Sequence, residues 1–291
     1  MSEVGVSILS DHVCKLGEGP SYDPATGVLI WFDILNGLLV EHRDGAGTRT
    51  HALGRMASAV AVVDPDRQLI SAEDGLHLRE TATGRLTLLQ PIEEDNPATR
   101  SNDGRVHPCG AFWVSTMGKK AENGAGSIYW FFKGELRRLF SGVSIPNSIA
   151  FSPNGAIAYY TDSATGLLMR TDCDPATGLP RGEPKIFADR GGRSGDHDGS
   201  VVDNEGVLWN ARWGEARVTA YAPDGRLMRS IAMRAKQVTC PAFFGPNADR
   251  LAVTSAWADM DDAARAADPH AGKTFLIDLP VQGRFEPRVV L

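Results

Sequence analysis

Three observations predict an all-β protein built from one repeated unit. Turn markers recur at Pro24, Pro65, Pro108, Pro153, Asn204 and Pro246, at intervals of 41, 43, 45, 51 and 42 residues. Each marker precedes a short apolar or aromatic run, and most of these runs are followed by a second turn and another strand-like run. Runs this short, punctuated by Gly and Pro, cannot be helices of ordinary length. A period of roughly 40–50 residues fits a four-stranded blade, so six periods predict a six-bladed β-propeller forming one domain over residues 1–291. A two-sheet sandwich is the alternative, and it leaves the period unexplained.

The elements follow in chain order. Residues 4–8 alternate like a strand and are expected to join the last blade, which contains residues 274–277, and so close the ring. The runs after the six markers are residues 28–32, 68–70, 111–114, 156–160, 207–209 and 251–253. Pro at the first corner of each turn presets its dihedral, and a closing Gly tolerates the left-handed conformation a hairpin needs. The long interval is assigned to the loop Asp174-Pro175-Ala176-Thr177-Gly178-Leu179-Pro180. Residues 260–267, rich in Ala and Asp, are the exception to the β reading and predict one or two helical turns.

Composition narrows the function. An apolar content of 42% with 23% charged residues is that of a globular protein with a sizeable core. A net charge of −6 argues against a nucleic-acid partner, and no apolar run is long enough to span a membrane. Residues 1–16 show no basic start followed by an apolar block, so no secretory signal is expected, and Cys14, Cys109, Cys173 and Cys240 are widely spaced with no Cys-x-x-Cys pair. The expectation is reduced, mostly buried thiols in a cytoplasmic protein, a monomer or weak homo-oligomer.

The repeat also has a phase. Six residues before the six markers stand Glu18, Ala59, Asn102, Asn147, Asp198 and Cys240. The first strand of each propeller blade lines the axis, so these positions form a ring there, and four of the six carry side-chain oxygens. Carboxylate and amide oxygens suit one hard divalent cation, and the candidates are calcium, magnesium, manganese, iron and zinc. An EF-hand starting at Asp196 fails, because Val201 stands where glycine is needed. The chain has no Gly-x-Ser-x-Gly elbow, no His-Glu-x-x-His pair and no phosphate-binding glycine loop. His197, beside Asp198, is either a pocket residue or a satisfied loop histidine.

Several stretches together resemble the gluconolactonase family that includes regucalcin, the senescence marker protein. They are Leu16-Gly17-Glu18-Gly19-Pro20, Arg100-Ser101-Asn102-Asp103-Gly104-Arg105-Val106, Ser115-Thr116-Met117, Ile145-Pro146-Asn147-Ser148-Ile149 and Asp198-Gly199-Ser200-Val201, in the family's order. The resemblance implies a six-bladed propeller that hydrolyses sugar-acid lactones to aldonic acids. It implies Glu18, Asn147 and Asp198 as metal ligands, Arg100 and Asn102 as substrate contacts, and Asp103 as a loop brace. Some relatives carry an acidic substrate contact shortly after Thr-Met. This chain has Lys119-Lys120 there, with Glu122 slightly further on, a departure that bears on sugar preference.

The expected chemistry is Lewis-acid activation of the lactone carbonyl, with Asp198 as the catalytic residue assisting as general base. The expected partner is a small-molecule sugar lactone. Two other functions fit the same scaffold: a hydrolase of aryl esters or phosphotriesters, and a non-catalytic calcium-binding propeller.

Overall fold

The computed structural model describes residues 4–190, 192 and 194–291. It contains six four-stranded antiparallel sheets arranged as the blades of a propeller, as the period predicts. The innermost strands of blades 1 to 6 are Gly17–Asp23, Ala57–Asp64, Thr99–Val106, Pro146–Phe151, Asp196–Val202 and Val238–Phe244. Within each of the first five blades the strands run outward in chain order. The last blade is completed by Gly5–Ser10, which pairs with Thr274–Asp278 and closes the ring.

Local chemistry sets the turns. Asp23-Pro24-Ala25-Thr26-Gly27 and Asp174-Pro175-Ala176-Thr177-Gly178 are the same pentapeptide, and both form an Asx turn. Asp23 Oδ1 accepts from Ala25 N at 3.0 Å, and Asp174 Oδ1 accepts from Ala176 N at 2.8 Å. The second copy is the long loop, and it folds back onto blade 3. There its Gly178 and Thr177 carbonyls accept from the Trp113 and Trp130 indoles at 2.9 and 2.7 Å. The expected helical segment is the helix Asp262–Ala267, capped by Asp261, whose carboxylate accepts from Ala264 N.

Burial follows strand order. Strands near the axis, such as Phe112–Gly118, are buried on both faces, whereas outermost strands such as Gly47–Ala52 are largely exposed. The core lies between blades. Trp113 and Ile128 of blade 3 pack on Phe151 and Ala158 of blade 4, with the Trp113 and Phe151 rings edge to face at 5.3 Å. All four cysteines are free thiols, three buried and Cys109 partly so. Among the described residues no helix is long and apolar enough to cross a membrane.

Two features position the axial site. Every innermost strand is irregular at the same level, with register shifts at Glu18/Ser21, Ala57/Ala59, Ser101/Gly104, Asn147/Ala150, His197/Ser200 and Val238/Pro241. The six in-phase residues sit at or inside these bulges, which re-aim side chains along the axis. Residues 279–291 then cross the opposite face. Arg284 donates to the carbonyls of Phe151 and Val202, Val289 N donates to Val62, and Val290 N donates to Gly110. This tail straps blades 2, 3, 4 and 5 together.

Candidate active site

Glu18, Arg100, Asn102, Asn147 and Asp198, drawn from blades 1, 3, 4 and 5, line one cavity of about 370 Å³ at the end of the axis away from the tail. The other two in-phase residues, Ala59 and Cys240, are buried beside it but offer no oxygen. The rest of the wall comes from the entries to the first strands, Leu16, Ile145 and Asp196, and from the ends of the second strands and the loops beyond them. Leu35, Met117, Ser163, Trp213 and Ala258 contribute there, with Lys119 and Lys120 at the rim.

The backbone around the ligand candidates is specialised. Gly19 adopts φ 58°, and a Cβ there would meet the Ser58 carbonyl oxygen at 1.9 Å, so only glycine allows blade 2 to come this close. Gly199 carries no such dihedral constraint, but a Cβ there would strike the Cys240 sulfur at 2.3 Å. Ser148, next to Asn147, adopts the same left-handed conformation as Gly19. It is held by donating its hydroxyl to the Asp198 carbonyl, which also accepts from Asn210 Nδ2 at 3.0 Å.

A chain of hydrogen bonds orients the side chains. Arg100 Nη1 donates to Asn102 Oδ1 at 2.8 Å, and Asn102 Nδ2 donates to Asn147 Oδ1 at 3.0 Å. Asn147 Nδ2 donates in turn to Ser163 Oγ at 3.0 Å. The Ser163 proton is given to the His197 carbonyl at 2.6 Å, so Ser163 Oγ can only accept from Asn147. That fixes the amide with Oδ1 turned toward Asn102, one lone pair remaining. Asp103 braces the loops, accepting from Gly104 N at 2.8 Å and from Ile149 N at 2.7 Å across to blade 4.

The electrostatics favour a cation. Glu18 and Asp198 lie close enough to interact directly. Burial, then their mutual repulsion and that of Asp103, pushes Asp198 well above the usual carboxylate range; burial and the Asp103 charge raise Glu18. Burial lowers Arg100 to about 10, against the pull of Glu18 and Asp198, so it stays charged at neutral pH. Two abutting carboxyls and an amide oxygen with a spare lone pair fit a hard divalent cation, which would relieve the repulsion that otherwise holds a proton between them.

Other sequence candidates are engaged in structural contacts. His197 is fully buried outside the cavity lining, with Nδ1 2.9 Å from Asn210 Oδ1 and 2.8 Å from Arg212 Nη1. Burial and the Arg212 charge lower it to about 4, so it is a neutral structural residue. Lys119 is paired with Glu73 at 2.6 Å. Glu122 turns back to accept from Lys120 N and covers Gly118. Ser163 and Trp213 were missed by the phase argument, which follows first strands only. Their shared position at the end of the second strands was the available signal: Ser163 follows Ile157–Asp162 and Trp213 ends Leu208–Trp213.

A model of the SMP-30/gluconolactonase/LRE-like region matches residues 16–257. The chain belongs to this family. It is 50% identical over 280 residues to a Rhizobium meliloti protein assigned as a sugar lactone lactonase, covering 96% of this chain and 95% of that one. It is 36% identical to an L-arabinolactonase of Azospirillum brasilense, over 93% and 90% of the two chains. The crystal structure of a calcium-binding protein, regucalcin, from Agrobacterium tumefaciens superposes with a TM-score of 0.97 at 49% identity, covering 99% and 98%.

Proposed function

We propose that this chain is a metal-dependent hydrolase that opens sugar-acid lactones to aldonic acids. The observation that carries the reading is the convergence of Glu18, Asn147 and Asp198 with Arg100 and Asn102 in one cavity. Its volume of about 370 Å³ lies within the range of small-molecule sites, roughly 300–1,000 Å³. The lactonase relatives give independent support for the reaction class.

Glu18, Asn147 and Asp198 would hold a divalent cation, which when bound supplies Lewis-acid chemistry at a carbonyl oxygen. The Arg100 fork and the Asn102 amide orient the ring hydroxyls of a sugar, which presents many donors and acceptors. Asp198 takes a proton from the attacking water through its less engaged oxygen. Water oxygen bonds to the acyl carbon, the ring C–O bond breaks, and the departing ring oxygen receives the proton as a hydroxyl. A carboxylate that also binds a cation is a weak base, so this step relies on the ring's intrinsic reactivity.

The test is hydrolysis of glucono-, galactono-, arabinono- and xylonolactone after chelation and metal add-back, beside an aryl ester and a phosphotriester. The reading expects lactone turnover that vanishes on chelation and returns with metal. Preferential cleavage of the phosphotriester would replace it with the related hydrolase reading. Calcium binding without any turnover would replace it with a sequestering role.

A further inference from the structure

The connector between Gly5–Ser10 and Gly17–Asp23 joins the outer strand of the last blade to the inner strand of the first, and it is the seam at which the ring closes. At this seam a ring nitrogen of His12, the sulfur of Cys14 and a carboxylate oxygen of Asp33 all lie within 4.8 Å of one another. We propose that these three residues form a second metal site, distinct from the axial cavity, that takes a borderline divalent cation of the zinc class and fastens the first blade to the last.

Three observations support the site. The first is unpartnered polarity. His12 Nε2 is buried without a hydrogen-bond partner, although it sits beside a thiol and a carboxylate. Buried polar groups are nearly always satisfied, so this imidazole nitrogen points to an occupant.

The second is a comparison within the molecule. Asp33 braces the entry to its blade, accepting from Lys15 N at 3.0 Å and Leu16 N at 3.1 Å. Asp162 does the same in blade 4, accepting from Ser144 N at 2.9 Å and Ile145 N at 3.0 Å. There the positions matching His12 and Cys14 hold Ser141 and Val143. Bracing therefore requires neither an imidazole nor a thiol, and their presence at the seam is unexplained by it. Asp33 Oδ1 accepts only the one bond and keeps a lone pair.

The third is ligand chemistry. Imidazole, thiolate and carboxylate together suit zinc rather than calcium, whose sites are all oxygen. A tetrahedral ion with bonds of about 2.0–2.3 Å needs its ligand atoms roughly 3.3–3.7 Å apart, so the three draw in by at most about an ångström. Cys14 N is already tied to the Gly272 carbonyl at 2.9 Å, which anchors the connector to the last blade. A fourth position is left for water.

The experiment uses the full chain, stripped with a chelator and titrated with zinc, and separately with cobalt as a spectroscopic stand-in. Metal content and thermal unfolding are read for the parent, His12→Ala, Cys14→Ser and Asp198→Asn. The parent is expected to bind one equivalent more zinc than either seam variant, and to show a thiolate-to-cobalt absorption band that Cys14→Ser lacks. Zinc should raise the unfolding temperature of the parent by more than that of His12→Ala, which keeps only the axial site. Asp198→Asn should keep the band and the part of the zinc response that His12→Ala loses, which separates this site from the axial one. Absence of the band in the parent, or its persistence in Cys14→Ser, would overturn the proposal and leave a buried water as the occupant.

Discussion

Arg105 and Glu286, 181 residues apart in sequence, meet at 3.2 Å beneath the axial cavity. The other Arg105 donors reach the carbonyls of Pro20 and Ser200, two residues beyond Glu18 and Asp198 respectively. The C-terminal tail thus places a carboxylate under the floor of the candidate site. It holds there a buried guanidinium that ties together the two strands carrying the acidic ligand candidates.

Glu286→Ala should leave Arg105 buried with carbonyl partners and without its close counter-charge. Removing one partner of a buried ion pair costs about 3–5 kcal/mol. Because Arg105 keeps its backbone acceptors, about 3 kcal/mol is expected, and Glu286→Gln should lose less. Urea unfolding of the three proteins checks this; equal midpoints would mean that the pair contributes nothing.

Asp198→Asn removes a proposed ligand and the proposed base while keeping shape and size. Metal-dependent lactone turnover should fall by at least about 100-fold, a typical loss for one essential electrostatic group. Far-UV circular dichroism should be unchanged, since the strand is held by the Asp198 carbonyl rather than its carboxylate. Parent-like turnover would remove Asp198 from the mechanism.

Ser163→Ala acts one step further out. It leaves the Asn147 amide without the acceptor that sets its orientation. Loss of an orienting partner typically weakens metal affinity by 10- to 100-fold. A tenfold weaker affinity, with near-parent turnover restored at saturating metal, is expected. Calorimetric titration measures the affinity; a loss of turnover that saturating metal does not restore would argue for a different role.

His107 ties stability to pH. It is fully buried, with Nε2–H donating to the Gly155 carbonyl at 2.8 Å and Nδ1 accepting from Cys109 N at 3.1 Å. Burial lowers its pKa below the ordinary 6.5, so the folded state holds it neutral. As pH falls below about 6.5 the unfolded chain takes up the proton first, and stability declines toward the lowered folded value. One such group contributes at most about 1.4 kcal/mol per pH unit. Chemical denaturation between pH 7 and pH 5 should show a shallower decline in His107→Gln than in the parent; parallel slopes would exclude His107 as the source.

Much of the architecture could be read from the chain itself, because a propeller repeats local chemistry. Pro, Asn and Gly at fixed intervals mark the turns, and strands too short for any other element fill the gaps between them. The phase of Glu18, Asn102, Asn147 and Asp198 followed from the same period, since equivalent positions in successive blades face one axis. Ring closure by residues 4–8 was also readable as an unpartnered strand at one end and an incomplete blade at the other.

What the period could not contain, only the tertiary structure decided. Residues 279–291 carry no repeat, so nothing local predicts that Glu286 lies under the cavity. The burial of His197 depends on Arg212 and Asn210, and the pairing of Lys119 depends on Glu73 in the preceding blade. Periodicity encodes which face of a strand turns inward. Contacts between blades depend instead on how closely separate sheets approach, and that distance is set by packing summed over the whole ring.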